Sequence, residues 1–311
     1  MEAKTHESTF TFTDPDGFEI FVYKWVPAPD ITPKAVVQIA HGAAEHALRY
    51  KRVAQFLNTA GYIVYANDHR GHNKTAGTME QASMVGPDGW NGIVKDVKQL
   101  TDIIKEENPA LPVFLFGHSM GSLIAQQYIQ EWGNEIKGVI LSGTFGMLPE
   151  LEATITLIEK TVQGPEADVP SAAFGAMFAA FNEPFAPVKT GFEWLSRDEA
   201  EVQKYVDDSW CGFPFTNKMT LGMLKGGREI WKAEKEARIP KELPMFVISG
   251  DKDPVGGNTE SVKALMSRYE EHGIKNITYK FYADARHEIL NETNRDEVHQ
   301  DILNWLDGQL G

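Results

Sequence analysis

Apolar and polar residues alternate at the start of the chain, and continuous apolar runs follow. The segments Ser8–Thr13 and Glu19–Val26 flank the turn-forming sequence Asp14-Pro-Asp-Gly17, which predicts a β-hairpin. The later runs are short and bounded by turn residues, as is typical of buried strands. They are Ala35–Ala40, Tyr62–Ala66, Pro112–Phe116, Ile136–Leu141, Pro244–Ser249 and Ile277–Tyr282.

Segments with helical spacing of apolar residues separate these runs. The predicted helices are Tyr50–Ala60, Trp90–Glu107, Ser122–Glu131, Glu260–His272 and Arg295–Leu310. Because strands and helices alternate, we expect a mostly parallel sheet with helices on both faces. With the hairpin, the pattern predicts an α/β protein with an eight-stranded sheet.

Residues 145–235 interrupt this alternation and have a different character. The stretch 145–225 holds eight of the seventeen Phe and four of the ten Met. This composition predicts a helical insertion in a core formed by residues 1–144 and 236–311. Its aromatic side chains pack on one another, line an apolar substrate pocket as a lid, or do both. The candidate pocket residues are Phe145, Phe174, Phe178 and Phe181.

Charge and cysteine content exclude several functions. Lys and Arg number 30 against 44 Asp and Glu, so the net charge of −14 disfavours nucleic acids and anionic membranes. The single cysteine, Cys211, permits no intrachain disulfide, and its aromatic neighbours predict a buried, inert thiol. His69 and His72 have no third ligand nearby in sequence, and no nucleotide-binding motif occurs, so neither a metal nor a cofactor is expected.

The sequence predicts neither a secretory signal nor a membrane-spanning segment. The N-terminal residues contain no apolar stretch typical of a secretory signal, and no run is long enough for a transmembrane helix. We therefore expect a cytoplasmic protein that contacts lipid transiently at most, through the apolar insertion. The sequence does not predict an oligomeric state.

The sequence Gly117-His-Ser-Met-Gly121 carries the clearest chemical signal. It fits G-x-S-x-G and lies between a predicted strand and a predicted helix, the context of a nucleophile elbow. Such a turn presents the serine hydroxyl beyond the sheet, at a helix N-terminus that favours developing negative charge. Ser119 is therefore the predicted nucleophile, in preference to a serine that only caps the helix.

A serine hydroxyl needs a base, and the base needs an acid that orients it. Three histidines lie late enough in the chain for the order Ser, acid, His: His272, His287 and His299. His287 is favoured because it follows a predicted strand by a short loop, at the sheet edge where Ser119 lies. Of the two candidate acids after the preceding strand, Asp253 is favoured over Asp251, which is a more typical turn former.

Two backbone N–H groups are needed to stabilise the oxyanion of an acyl intermediate. The residue after the nucleophile, Met120, supplies the first. The second is expected from the loop after an early strand, where His41-Gly42-Ala43 stands, so Ala43 is the candidate. A charge pair between Asp68 and Arg70 is expected to pin a neighbouring loop rather than to bind substrate.

Five stretches together resemble the monoacylglycerol lipase and lysophospholipase branch of the α/β-hydrolase superfamily. They are His41-Gly-Ala-Ala-Glu-His46 with Arg49-Tyr50, Asp68-His-Arg-Gly-His72, Gly117-His-Ser-Met-Gly-Ser122, Ser249-Gly-Asp-Lys-Asp-Pro-Val255 and Ala285-Arg-His-Glu288. They occur in the family order and span nearly all of the chain outside the insertion. The resemblance implies the same triad and oxyanion donors, and a cap domain over residues 145–235.

The sequence departs from the family pattern at two places. The family usually has Gly at the position of Ala44, and Gly followed by a small residue at the positions of Asn73 and Lys74. Ala44 is expected to narrow the mouth of the oxyanion loop.

The predicted function is cofactor-independent hydrolysis of carboxylic esters of single-chain lipids, by a serine hydrolase. A small-ester esterase and a proline-releasing aminopeptidase are alternatives within the same fold. The aminopeptidase would need an anionic cluster for a free amino group, for which the acidic residues Glu199, Glu201, Asp207 and Asp208 are candidates. A third alternative is a catalytically silent ligand-binding protein, which usually lacks a triad member.

Overall fold

The predicted strands form one eight-stranded sheet in the computed structural model, which describes residues 6–148, 150–162 and 165–311. Each observed strand lies within two residues of its predicted bounds. The strands are β1 (His6–Thr13), β2 (Glu19–Val26), β3 (Ala35–Ala40), β4 (Tyr62–Asn67), β5 (Val113–His118), β6 (Gly138–Ser142), β7 (Met245–Gly250) and β8 (Ile277–Tyr282).

The sheet is mostly parallel, as predicted. Its strand order is β1-β2-β4-β3-β5-β6-β7-β8, with antiparallel pairing only between β1 and β2 and between β2 and β4. The chain runs from β3 to β4 on one side and then crosses to β5 on the other side of β3. Ligands of open α/β sheets bind at such a reversal of direction, beyond the carboxyl ends of the strands.

Helices cover both faces of the sheet. The helices are α1 (Lys51–Thr59), α2 (Asn73–Ala76), α3 (Gly89–Glu107), α4 (Met120–Trp132), α5 (Leu151–Glu159), α6 (Ala172–Asn182), α7 (Glu199–Asp207), α8 (Asn217–Ile230), α9 (Ala233–Glu236), α10 (Glu260–Glu271) and α11 (Arg295–Gly308). Buried side chains of α3, α4 and α10 pack on one face, and those of α1 and α11 pack on the other. Alternating strands and helices therefore bury both faces.

The segment between β6 and β7 contains α5 to α9 and includes the irregular stretch of the sequence, whose predicted limit at residue 235 lies within α9. We call residues 145–235 the insertion. Its last long helix, α8, is held to the core where Trp231 Nε1 donates to Gln126 Oε1 at 3.0 Å and Gln130 Nε2 donates to the Ile230 carbonyl at 2.7 Å. The insertion also has a small apolar cluster of its own, formed by Trp194, Leu195 and Tyr205.

Within the described residues, no helix combines the length and the apolar composition that crossing a bilayer requires.

Candidate active site

Ser119 lies on a sharp turn between β5 and α4. Its backbone has φ 53° and ψ −120°, a conformation that residues with a side chain rarely adopt. Two glycines allow the turn, because a Cβ on Gly117 would lie 2.3 Å from the Gly121 carbonyl oxygen and one on Gly121 would lie 2.0 Å from the Ala40 carbonyl oxygen. The helix begins at Met120, two residues before its predicted start, because the elbow leads directly into it.

His287 and Asp253 form a buried pair beside this turn. His287 Nδ1 lies 2.9 Å from Asp253 Oδ2 and 3.0 Å from Oδ1, and both residues are almost inaccessible to solvent. The Asp253 carboxylate also accepts a hydrogen bond from the Val255 N–H at 2.9 Å, which fixes its orientation. A carboxylate at Nδ1 keeps the proton on that nitrogen, and Nε2 on the opposite edge of the ring stays available as the base.

The other candidates for base and acid have different partners. Asp251 accepts a hydrogen bond from the Asp284 N–H at 2.8 Å, as expected of a turn residue. His272 lies 3.3 Å from Glu236, and His299 of α11 packs against Phe56 of α1. The structure therefore brings Asp253, and not Asp251, to His287.

The loop after β3, residues 41–46, approaches Ser119 closely and is called the oxyanion loop below. A Cβ on Gly42 would lie 2.7 Å from Glu45 Oε1 and 3.3 Å from the Ser119 Cβ, so any larger residue would crowd both side chains. The Gly42 N–H donates to Glu45 Oε1 at 2.6 Å. The two predicted oxyanion donors, Ala43 and Met120, line the same cavity as Ser119 and His287.

A buried charge network that sequence reasoning did not assign connects the oxyanion loop to His287. Arg49 Nη1 donates to both Glu45 Oε2 and Glu288 Oε1 at 2.5 Å, and Arg49 Nη2 donates to Glu288 Oε2 at 2.7 Å. Burial alone would raise the pKa of Glu288, but the adjacent guanidinium lowers it to about 2. Glu45 and Arg49 stand four residues apart within the stretches that resemble the family, and that spacing was the available signal.

The cavity above Ser119 is large and mostly apolar. Its volume is about 660 Å³. All four aromatic residues predicted for a pocket line it: Phe145, Phe174, Phe178 and Phe181. Phe174, Phe178 and Phe181 also contact one another or Trp194, whose ring centroid lies 5.0 Å from that of His287, and Phe145 contacts Trp231. Packing within the insertion and lining of a pocket therefore occur together.

The two departures from the family pattern share a backbone property. Ala44 has φ 50° and Asn73 has φ 35°, both in the region that favours glycine. Ala44 is buried and does not line the cavity, so the expectation that it narrows the mouth of the loop was wrong. Its carbonyl instead points to the insertion, where it accepts hydrogen bonds from the Tyr205 hydroxyl and the Gly212 N–H.

Asp68 and Arg70 hold their loop as expected, although they do not pair with each other. Arg70 forms ion pairs with Asp14, Asp16 and Asp96. Asp68 accepts hydrogen bonds from backbone N–H groups, including that of Ala47 at 2.9 Å. The expected pair was wrong because Arg70 pairs with carboxylates distant in sequence, whereas N–H groups of its own loop and of Ala47 occupy Asp68.

The buried histidines near the oxyanion loop serve packing. The rings of His41 and His69 lie 4.0 Å apart, and His72 lies 5.0 Å from His41. Burial lowers the pKa of His69 to about 3 and that of His72 to about 4, so these rings stay neutral. The His69 N–H donates to His41 Nε2 at 3.0 Å, which joins the two loops.

One group of side chains has the composition of a metal site. Potential ligand atoms of His46, Asp208 and Cys211 lie within 4.8 Å of one another. His46 Nε2 is already paired with Asp208 Oδ2 at 2.9 Å, and burial raises the pKa of the Cys211 thiol far above its usual value. The thiol is therefore protonated and unreactive, while the histidine and aspartate connect the oxyanion loop to the insertion.

Comparison with known families agrees with this geometry. The family described as "Serine aminopeptidase, S33" matches residues 31–294, from β3 to the start of α11. The chain belongs to this family of α/β-hydrolases.

Individual relatives and solved structures extend this result. The chain is similar to the monoacylglycerol lipase of Mycolicibacterium smegmatis, with 29% identity over 97% of this chain and 98% of that protein. It is 32% identical to human monoglyceride lipase, over 94% of this chain and 88% of the human protein. The structure of a thermostable carboxyl esterase from Bacillus coagulans superposes with a TM-score of 0.91 at 29% identity, covering 98% and 99% of the two chains.

Proposed function

We propose that the protein is a lipase of monoacylglycerols and related single-chain lipid esters. Relatives named as monoglyceride lipases and a structural neighbour named as a carboxyl esterase support ester hydrolysis. The observation that carries the proposal is one cavity that joins two features. Ser119 and the Asp253-bound His287 lie at its base, and aromatic side chains of the insertion form its walls.

The residues suggest a two-step reaction through an acyl-enzyme. Ser119 Oγ attacks the ester carbonyl while His287 Nε2 takes its proton, and the N–H groups of Ala43 and Met120 stabilise the oxyanion. His287 then returns the proton to the leaving alcohol. Water attacks the acyl-enzyme by the same route, and Asp253 holds the imidazole in the required tautomer throughout.

The insertion is proposed to act as the cap that selects the acyl chain. A fatty acyl chain gains free energy from burial against apolar side chains, at about 25 cal/mol per Å². Phe174, Met177 and Phe178 lie along one face of α6 and line the cavity. This arrangement accommodates one long acyl chain and leaves the ester at Ser119.

The aminopeptidase alternative has less support from the cavity. None of its four candidate carboxylates, Glu199, Glu201, Asp207 and Asp208, is among the described residues that line the cavity. Of the three glutamates that line the cavity, Glu45 and Glu288 are both bound to Arg49, and Glu260 is exposed in the first turn of α10. A positively charged α-amino group would therefore find the two buried carboxylates already neutralised.

The proposal is tested by hydrolysis of p-nitrophenyl esters from two to sixteen carbons and of a monoacylglycerol, beside a proline arylamide. The Ser119→Ala variant should lose at least about a thousandfold of the esterase activity, because removal of a triad nucleophile costs that much or more. The exposed serine of α10, Ser267→Ala, is the matched control and should retain full activity.

A fluorophosphonate probe should label the wild type and the control but not Ser119→Ala. A lipid hydrolase should prefer long acyl chains, whereas an optimum at two to four carbons would indicate a small-ester esterase. Faster turnover of the arylamide than of any ester would support the aminopeptidase. Equal, feeble ester rates in the wild type and Ser119→Ala, without labelling, would support the silent binding protein.

A further inference from the structure

The carbonyl of Ala44 is an unusual point of contact between the core and the insertion. Ala44 adopts φ 50°, and an alanine in the left-handed region costs about 1–2 kcal/mol relative to ordinary backbone. The residue is completely buried. Such a conformation persists only where the surroundings hold it.

Two hydrogen-bond donors of the insertion hold the Ala44 carbonyl in place. The Tyr205 hydroxyl donates to the Ala44 oxygen at 2.9 Å, and the Gly212 N–H donates to the same oxygen at 2.9 Å. Tyr205 is itself buried and lies at the end of α7, so its hydroxyl has little freedom to move. Both lone pairs of one core carbonyl are thus occupied by the insertion.

Adjacent contacts strengthen the same junction. The Arg49 guanidinium lies 4.8 Å from the centre of the Tyr205 ring, within the range of a cation–π interaction. His46, at the other end of the oxyanion loop, bonds to Asp208 at 2.9 Å. The segment from Tyr205 to Gly212 therefore contacts the loop at several positions.

The candidate oxyanion donor, Ala43, lies between two fixed points. On one side the Gly42 N–H is held by Glu45 at 2.6 Å, a contact within the core. On the other side the Ala44 carbonyl is held by Tyr205 and Gly212, contacts with the insertion. The Ala43 N–H shares its peptide plane with the Gly42 carbonyl, whose oxygen lies 2.8 Å from His41 Nδ1. The contacts of the Ala44 carbonyl act on this plane through the intervening Ala43–Ala44 peptide, so their loss would widen the range of directions open to the Ala43 N–H.

We propose that Tyr205 is a positioning residue, whose hydroxyl fixes the oxyanion loop from the insertion and thereby keeps the Ala43 N–H directed at the transition state. The proposal rests on the proposed esterase function. It gives the insertion a second role, because a region that selects the acyl chain also completes the geometry of the oxyanion hole.

The first test is Tyr205→Phe, which removes the hydroxyl and keeps the ring beside Arg49. We expect kcat for p-nitrophenyl butyrate to fall about tenfold, the scale of one lost hydrogen bond acting on the transition state, with KM within about twofold. Tyr282→Phe is the matched control, since it removes the hydroxyl of another buried tyrosine, which donates to Asp301 of α11 at 3.0 Å. The control should retain wild-type kinetics.

Inhibitor binding separates positioning from a general loosening of the fold. Ser119 Oγ adds to the carbonyl of an alkyl trifluoromethyl ketone, and the resulting hemiketal carries an oxyanion. The corresponding alkyl methyl ketone is largely unreactive and serves as the analogue that forms no oxyanion. In Tyr205→Phe the Ki of the first should rise about tenfold, in parallel with the loss of kcat/KM, and that of the second should stay within about twofold. Equal weakening of both ketones, or unchanged kcat, would overturn the proposal.

Hydrogen exchange tests the loop without any turnover. Backbone amides of residues 42–46 should exchange faster in Tyr205→Phe than in the wild type, and Tyr282→Phe should leave them unchanged. Unaltered exchange of these amides in Tyr205→Phe would also overturn the proposal. Inactivity of the wild type towards every ester would overturn the proposed function instead, while the exchange result would still decide whether Tyr205 holds the loop.

Discussion

The core and the insertion differ in how closely their main-chain atoms are packed. At the elbow, positions of main-chain atoms are fixed so closely that a single methyl group on Gly121 would meet the Ala40 carbonyl at 2.0 Å. In α6, by contrast, only Phe174 and Asn182 of eleven residues are buried, and Met177, Phe178 and Phe181 are half-exposed. Geometry in the core is set by backbone contacts, whereas the cavity wall is set by side chains with room to move.

This difference explains which properties each region controls. The reacting groups must be held within a fraction of an ångström, which close backbone packing provides. An apolar wall needs only suitable shape and volume, and such surfaces tolerate substitution. Changes in the core should therefore affect every ester alike, and changes in the insertion should affect esters according to their length.

The largest expected effect is that of Asp253→Asn. An amide at this position would favour the wrong histidine tautomer, so kcat should fall about 10⁴-fold for esters of every chain length. The neighbouring Asp251→Asn is the matched control and should stay within about twofold of the wild type. The kcat of both variants is measured from initial rates on a short and a long p-nitrophenyl ester. A loss confined to one chain length would contradict a uniform role of the core.

Acid should destabilise the protein through its core. Burial lowers the pKa of five histidines, none of them in the insertion: His41, His69, His72, His118 and His299. These rings bind protons only when the chain unfolds, so stability falls as the pH drops below about 6.5. Burial raises the pKa of Asp68 to about 6 and that of Asp96 to about 7, which opposes part of the loss.

The balance of these groups should lower the free energy of unfolding by roughly 3 kcal/mol between pH 6.5 and 5.5. Thermal unfolding followed by circular dichroism should show a decrease in Tm of about 5 °C over this range. His299→Gln removes one contributor away from the active site and should flatten the dependence. A Tm that is constant or rises towards pH 5.5 would show that the buried histidines do not control acid stability.

A smaller effect, confined to long substrates, is expected from Phe178→Ala in the insertion. Loss of this apolar wall should lower kcat/KM for a sixteen-carbon ester about tenfold, while a two-carbon ester should change less than about twofold. Phe185→Ala is the matched control, because Phe185 is half-buried in the insertion and lies beside Arg286 rather than along the cavity. Similar losses on both esters would mean that α6 acts on catalysis as well as on acyl selection.

The smallest expected effect lies where the two regions meet. Ala44→Gly removes a Cβ from a left-handed backbone position and should stabilise the fold by about 0.4–1 kcal/mol, or about 1–2 °C in Tm. Ala153→Gly on the exposed face of α5 should have the opposite sign, because glycine weakens an ordinary helix. Differential scanning calorimetry of the two variants compares them directly. A decrease in Tm for Ala44→Gly would show that the positive φ is not a source of strain.

Most of the core could be predicted because its signals are local. Strand runs such as Ala35–Ala40, with turns at both ends, and the glycines of Gly117–Gly121 report backbone requirements that neighbouring residues determine. The choice of His287 and Asp253 followed from chain order and from strand ends that meet at one edge of the sheet.

Contacts between distant segments could not be predicted in this way. Arg49 meets Glu288 across 239 positions, and Tyr205 meets the Ala44 carbonyl across 161. Charged and hydroxyl side chains have many possible partners, so periodicity and turn chemistry do not select one. The same ambiguity led to the wrong expectation that Asp68 pairs with Arg70.

The strained backbone of Ser119 also has a consequence for how the sequence would evolve if the reaction were no longer needed. With φ 53° and ψ −120°, this position would be occupied most stably by glycine, whereas Gly117 is required by the packing of β5 against α4 and Gly121 by that of α4 against the end of β3. A lineage that no longer needed the reaction would therefore replace the serine readily, and glycine would be the favoured substitute. Both flanking glycines would remain, so such a descendant would still carry the spacing of the elbow after its chemistry had gone.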